Sequence, residues 1–303
     1  MKVEESHKKP PSFTRWLVLG IVLSSFLVCG LIWTVWRTLL NEFPDVSILK
    51  SHYAHVEYRG PKKAFKVTLK PHPPSQWVRL DQVSPIAIQA IITSEDGTFF
   101  SHQGYDPHEL KEAIKEDLTE GKFSRGASTI TMQVVKNVFL THKKSIYRKV
   151  KEIILSIRLD REVSKRRILE TYLNLAEWGE GTFGIYPASQ LYFGKHPAEL
   201  NAKEGAFLAM LLPSPKKYSQ SFRSKKLTQY AGKTITSILK KMNAARHLSD
   251  DEYQNALLQK LPFEQDSGQP VPVESDMPET ELEEDNENDT VENTVKNTNR
   301  GES

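Results

Sequence analysis

The sequence predicts a mainly α domain behind one N-terminal transmembrane helix. Three observations predict it. An uncharged apolar run of 21 residues extends from Trp16 to Trp36. From about Val78 onward, segment after segment repeats its apolar residues at spacings of three and four, the period of a helix packed on one side. After Phe263 the chain turns to Glu, Asp, Asn, Thr and Pro with few large apolar residues, a composition that cannot bury enough surface to fold. The chain's 303 residues leave room for one or two domains with a real core.

The run "WLVLGIVLSSFLVCGLIWTVW" matches the roughly 20 apolar residues that cross a bilayer's hydrocarbon core as a helix. Tryptophans at both ends suit the two interfaces. The run is too long for the apolar part of a cleaved signal peptide, and no A-x-A pattern follows it. Lys2, Lys8, Lys9 and Arg15 precede it, whereas Arg37 and Lys50 are the nearest cations after it. This bias places the N-terminus in the cytoplasm. Cys29, the single cysteine, lies inside the run and reads as a small apolar residue; one cysteine excludes an intramolecular disulfide and a cysteine-rich zinc site.

The other elements follow in order. Residues 1–15 form a cytoplasmic arm and 37–75 a juxtamembrane segment. Its alternating stretch "AHVEYRGPKKAFKVTLK" predicts a short hairpin turning at Gly60–Pro61. "SPIAIQAIITSED" carries a serine cap, a proline in the first turn and an apolar run. "DPHELKEAIKEDLTEGK" predicts a polar surface helix. "STITMQVVKNVFL", "SIYRKVKEIILSIRLDREV", "SKRRILETYLNLAEWG" and "NAKEGAFLAMLLP" predict four more helices, and Ile146, Val150, Ile153, Ile154 and Ile157 form one stripe on the second of them. The net charge of +3 hides an asymmetry: residues 264–303 carry 13 acidic and 2 basic residues, which leaves the body at +14. A basic body tethered to a membrane suits an anionic partner such as a lipid headgroup or a phosphorylated lipid. Nucleic acid is disfavoured, since no aromatic stacking platform is interleaved with the charges.

Four short segments carry residue types suited to chemistry. "SEDGTFFSHQG" sets Glu95 and Asp96 at the end of an apolar run, with Phe99, Phe100 and Tyr105 available as a wall beside Glu95. A carboxylate desolvated by such a wall becomes a better base near neutral pH, and His102 can fix the local geometry. The plain alternative is a helix that ends at a solvated acidic surface. "SRGASTITMQVVKN" clusters Ser124, Ser128, Thr129 and Thr131 around Gly126 where a helix begins, a place that attracts anions, and then sets Gln133, Lys136 and Asn137 on one face. A capped helix with a polar side explains these equally. In "RKVKE", Arg148 and Glu152 stand at i, i+4, which is also the spacing of an intrahelical salt bridge, with Lys149 beside them. In "ILETYLN", Ile168, Leu169, Tyr172 and Leu173 are core-type positions, and Glu170 and Asn174 read as structural polar groups.

Taken in order over about eighty residues, these segments resemble the peptidoglycan glycosyltransferases, specifically their monofunctional branch. That family's E-D-x-x-F-x-x-H-x-G motif is met by Glu95, Asp96, Phe99, His102 and Gly104. Its G-x-S-T-x-T-Q-Q motif is met by Gly126, Ser128, Thr129, Thr131 and Gln133, with Met132 in place of the first glutamine. R-K-x-x-E is Arg148, Lys149 and Glu152, and the fourth motif runs from Ile168 to Asn174. The resemblance covers residues 76–222 within a domain drawn at 76–262, followed by an acidic disordered tail at 263–303. No transpeptidase domain has room to follow.

The resemblance implies a lysozyme-like, two-lobed helical fold on the outer face of a bacterial inner membrane, polymerising lipid II into glycan strands. Glu95 is then the base that takes the proton of the attacking sugar hydroxyl. Lys136, Arg148 and Lys149 neutralise the leaving pyrophosphate, and Glu152 orients them, supports the donor site or holds a metal. Ser128, Thr129, Gln133 and Asn137 bind sugar or phosphate, Phe99 is part of a wall, and Asp96 and His102 brace the geometry. No tightly bound cofactor is implied, although the chemistry leaves room for a divalent cation, Mg2+ or Mn2+. Expected partners are lipid II, the growing strand, the membrane and other wall-synthesis proteins. The competing expectations are a lytic glycan-cleaving enzyme and an inactive scaffold of the wall-synthesis machinery.

Overall fold

The structure, a computed structural model, describes residues 13–41, 43–58, 65–120, 128–140 and 145–264. It falls into two units, residues 1–106 with 128–265, and residues 107–127 with 266–303. The described part of the second unit is a single helix. The expected turn at Gly60–Pro61 and the acidic tail beyond Glu264 lie outside the described residues, as do Ser124 and Gly126.

Helix α1 (Phe13–Asn41) opens the first unit. From Trp16 to Thr34 every residue is exposed and the segment is free of charge. An exposed, uncharged apolar helix of this length fits a membrane anchor. The chain then enters a 3-10 turn at Val46–Lys50, whose Val46 and Leu49 are fully buried. Next comes the expected hairpin: β1 (Tyr53–Glu57) pairs antiparallel with β2 (Lys66–Lys70), Tyr53 opposite Lys70 and Glu57 opposite Lys66.

Beyond the buried Val46 and Leu49, Arg167 ties this segment to the body. The Arg167 guanidinium lies 4.2 Å from the Tyr53 ring and 5.2 Å from the Trp77 ring. It donates to the carbonyls of Leu49 at 3.0 Å and His52 at 2.9 Å, and to Glu170 Oε1 at 2.6 Å. A planar guanidinium can stack and donate in its plane at once, so one side chain closes both the turn and the strand onto a helix.

The core is built by α2 (Pro85–Glu95), α4 (Ile130–Phe139), α5 (Ile146–Glu162), α6 (Lys165–Leu175) and α8 (Ala202–Leu211), with α3 (Pro107–Glu120) forming the second unit and α7 (Ile185–Phe193) placed between α6 and α8. Four of these helices start at a side-chain cap, whereas the serine expected to cap α2, Ser84, makes no such hydrogen bond. Thr129, Ser145, Ser164 and Asn201 each accept a backbone N–H of the first turn, and Pro85 opens α2. All ten residues of α8 are buried. Gly205 makes that packing feasible, because a Cβ there would sit 2.6 Å from the Ala87 Cα on α2. The "AEWG" stretch does not continue α6. It turns into β3 (Glu177–Gly179), paired with β4 (Thr182–Phe183).

Three findings differ from the sequence reading. Much of the α5 stripe faces outward: Ile146 is 87% exposed and Val150 and Ile154 are exposed with it, as is neighbouring Tyr147, while Ile153 and Ile157 are half-buried and the buried face is Glu152, Leu155, Ser156 and Leu159. Helical spacing identifies an apolar face without saying that protein covers it. Four further helices follow α8, namely α9 (Pro215–Tyr218), α10 (Gln220–Arg223), α11 (Gln229–Ala244) and α12 (Asp250–Leu258). The folded body also runs past the boundary at 262, through Glu264. Phe263 is buried with its ring 5.1 Å from Phe207 and 5.4 Å from Phe222. Buried Lys203 fastens this end by donating to the carbonyls of Leu257 and Gln259.

Candidate active site

Glu95 is the last residue of α2, and its carboxylate meets α4 and α6. Gln133 Nε2 donates to Glu95 Oε2 at 2.8 Å, and the Tyr172 hydroxyl points at the same oxygen from 3.3 Å. Tyr172 is also 3.4 Å from Gln133 Oε1, so its single proton serves either acceptor. Burial pushes the Glu95 proton affinity up; the two donors and the nearby Lys136 ammonium oppose this without cancelling it. Burial beside that carboxylate holds the Tyr172 hydroxyl well above its ordinary range, hence neutral and able to donate.

The polar groups that engage Glu95 are Gln133 and Tyr172 rather than a wall of phenylalanines. Phe99, expected in such a wall, is fully buried in the core, edge-on to Phe100 at 5.0 Å and under the Lys165 ammonium at 4.5 Å. Phe100 is 57% exposed. A ring with no accessible surface supports the turn that carries it and has none to offer a substrate.

That turn is braced by the Asp96–His102 pair, both side chains at most 5% exposed. His102 Nε2 lies 2.9 Å from Asp96 Oδ1. Asp96 Oδ2 accepts the Ile130 N–H at 2.9 Å, so a carboxylate sits at the N-terminus of α4, where the helix dipole favours it. Thr129 caps the same helix through Met132 N–H at 3.1 Å and donates to the Gly104 carbonyl at 2.8 Å. Gly104 has φ +86°, and a Cβ there would overlap the Ser156 carbonyl of α5. Glycine is required at this crossing.

The cations form a second cluster around Glu152, which is 1% exposed. Lys149 Nζ lies 2.7 Å from Glu152 Oε1 and donates to Ser128 Oγ at 2.9 Å; Arg148 reaches Glu152 Oε2 at 3.7 Å. Both basic residues of the third segment therefore share one buried carboxylate, Lys149 included. Lys136, on the face of α4 that also carries Gln133 and Asn137, joins them. Burial pulls its proton affinity down, Glu152 opposes that most, and Lys149 and Arg148 add to it. Three cations thus gather about one buried anion, and Lys136 also feels the charge of Glu95.

No group of three His, Cys, Asp or Glu able to hold a metal ion occurs among the described residues. The two oxygens of Glu152 are already engaged by Lys149 and Arg148. These donors do not fit a protein-held metal.

Glu170 and Asn174 are structural, as the sequence suggests. Glu170 accepts from Trp77 Nε1 at 3.0 Å, the Leu80 N–H at 3.0 Å and Arg167 at 2.6 Å. Asn174 pairs with both backbone groups of Val78 at 2.8 Å each. Tyr172 lies between them on α6, and sequence reasoning missed its role by placing it in the core. Its ring is there, but a buried tyrosine hydroxyl needs a partner, and that need was the available signal.

Known proteins with similar sequences bear on this arrangement. A family model described as Transglycosylase matches residues 63–243. The chain belongs to the transglycosylase family. The biosynthetic peptidoglycan transglycosylase of Herminiimonas arsenicoxydans is 35% identical over 230 residues, 76% of this chain and 91% of that protein. That of Azoarcus sp. (strain BH72) is 33% identical over 215 residues, covering 69% and 90%. That of Rhizobium meliloti (strain 1021) is 46% identical over 140 residues, 46% of this chain and 59% of that protein, so the stretch of higher identity spans about six tenths of that relative. The matched transglycosylase region contains Glu95 and its two donors, the Asp96–His102 brace and the cation cluster around Glu152.

Proposed function

We propose that this protein is a membrane-anchored peptidoglycan glycosyltransferase that polymerises lipid II into β-1,4 glycan strands and releases undecaprenyl pyrophosphate. The observation that carries the reading is one buried carboxylate of raised proton affinity, Glu95, near Lys136, which with Arg148 and Lys149 belongs to the cation cluster of Glu152. That pairing matches the two demands of the reaction.

A sugar 4-hydroxyl is a weak nucleophile. As its oxygen attacks the anomeric carbon of the growing chain, its proton passes to Glu95. The bond from that carbon to the pyrophosphate oxygen breaks, the electron pair leaves with the pyrophosphate, and the α linkage inverts to β. Pyrophosphate leaves as a stable anion, so the opposite side of the site needs positive charge rather than a second acid. Glycosidases differ by needing an acid to protonate a poor leaving group. Gln133 and Tyr172 fix one oxygen of Glu95 and leave the other to take the proton. Lys136 and Asn137 make no side-chain hydrogen bond among the described residues and have donors to offer phosphate or sugar.

The membrane geometry supports the same reading. Helix α5 lies beside the segment that leaves α1: Lys151 is 4.9 Å from the Tyr147 ring and 5.5 Å from the ring of Phe43, two residues past the end of α1. This end of the domain lies against lipid, where the substrate's polyprenyl chain stays. With the N-terminal lysines in the cytoplasm, the domain works on the outer face of the inner membrane. The test is to incubate the purified full-length protein with lipid II and size the products. Long glycan with loss of lipid II is expected; soluble fragments released from preformed peptidoglycan, with lipid II untouched, would overturn the reading.

A further inference from the structure

The proposed reaction leaves one large surface without a task. From Gly205 to Ser249 the chain carries nine Lys or Arg and no Asp or Glu. α11 shows how they are arranged. Ala231, Ile235, Ile238, Leu239 and Met242 are buried, while Lys233, Lys240 and Lys241 stand on the opposite side of the helix, all exposed. None of these three side chains makes an ion pair or a hydrogen bond among the described residues. The short helix α9 joins this surface through Tyr218, whose ring stacks on Tyr230 of α11 with centroids 4.5 Å apart and planes at 19°. Tyr230 is 38% exposed.

Several other cations of the domain sit against a carboxylate, Lys216 of α9 among them, 3.3 Å from Glu180. Lys149 faces Glu152, Lys165 faces Asp160, Arg167 faces Glu170 and Lys195 faces Glu204, each within 2.7 Å. An outward face that leaves such charge uncompensated attracts a polyanion. A bilayer is the poorer fit. The end adjoining the anchor already carries the exposed Ile146, Val150 and Ile154, whereas the described residues from 205 to 249 expose no large apolar side chain except Tyr230. Helix α11 rests on α2 and α8 rather than on α5. What fits this face is a water-borne anionic polymer that offers flat apolar ring faces to an aromatic pair and carboxylates to lysines. Peptide-substituted glycan has both.

We propose that the outward face of α9 and α11 binds peptidoglycan strands, with Tyr230 against sugar rings and Lys233, Lys240 and Lys241 on stem-peptide carboxylates. The proposal rests on the enzyme reading above, since the strand is that reaction's product, but its test does not require turnover. Full-length protein in detergent is mixed with purified insoluble peptidoglycan and sedimented across a salt series, beside vesicles containing phosphatidylglycerol. The Lys233→Glu/Lys240→Glu/Lys241→Glu protein and the milder triple Gln version are run in parallel, each checked by melting temperature. Unaltered protein should sediment with peptidoglycan at low salt and detach as salt rises. The Glu triple should bind about tenfold less, with lipid II polymerisation unchanged. Equal sedimentation of unaltered protein and both triples would overturn the proposal, and so would dependence of vesicle binding, but not peptidoglycan binding, on these lysines. If unaltered protein failed to polymerise lipid II yet lost peptidoglycan binding on substitution, the surface would stand and the enzyme reading would fall.

Discussion

Replacing Glu95 by Gln preserves the side chain's shape and removes its charge. The Gln133 amide and Tyr172 hydroxyl that now reach Oε2 can both be accepted by the new carbonyl, so no hydrogen bond need be lost. What disappears is the proposed base. A positioned general base contributes roughly 10² to 10⁴ in rate, or about 2.7 to 5.4 kcal/mol at 1.36 kcal/mol per decade. Stability should move the other way. Burial raises the Glu95 proton affinity in the folded protein above the value near 4.5 of an unhindered carboxyl. Between those two values the folded state holds the extra proton, so stability falls as pH rises through that window. Above it, an ionised Glu95 is a buried charge that costs stability, and a neutral glutamine amide carries no such charge. Glu95→Gln should therefore melt higher than the unaltered protein at pH 7 to 8, with the difference closing below about pH 4.5, where both side chains are neutral. The assays are lipid II polymerisation at pH 7 and thermal melting from pH 4 to 8. A near-normal rate would refute the base assignment. A lost rate together with a lower melting temperature at neutral pH would refute the burial argument and make Glu95 a structural residue.

The same raised affinity predicts that polymerisation by the unaltered protein falls on acidification with a midpoint above 4.5; an acid limb centred at or below that value would contradict it. Lys136→Ala and Arg148→Ala should weaken use of the lipid-linked donor far more than they lower the melting temperature, since both cations surround a site of anionic chemistry, and steady-state kinetics with melting curves would reveal the reverse. Glu170→Ala strands the Trp77 indole N–H and the Leu80 N–H; at about 1 to 3 kcal/mol per orphaned buried donor, reduced by partial exposure, urea unfolding should show a loss of about 2 to 4 kcal/mol. Gly104→Ala must place a Cβ against the Ser156 carbonyl at positive φ and should lower the unfolding midpoint well beyond experimental scatter, whereas an unchanged midpoint would mean that the 96–104 turn is not locked against α5.

The sequence by itself determined the parts of this protein that depend on order and period. An uncharged stretch long enough to cross a bilayer exposes α1. Caps at Thr129, Ser145, Ser164 and Asn201 fix where helices begin, because an orphaned N–H needs an acceptor close in sequence. The acids and cations of the site were legible as residue types at set spacings. Tertiary structure decided everything that needs a partner distant in the chain. Periodicity marked the stripe on α5 as one face but could not say whether protein or lipid covers it. Phe99 read as a wall beside Glu95 and instead fills the core, because a turn's side chains sort themselves by what packs above them. Tyr172 read as core, and only the approach of α6 to the end of α2, 77 residues apart in sequence, brings its hydroxyl to Glu95. The same approach buries that carboxylate. Its altered proton affinity is a property of the packed interior, where water is gone and a few donors remain, and no local spacing encodes it.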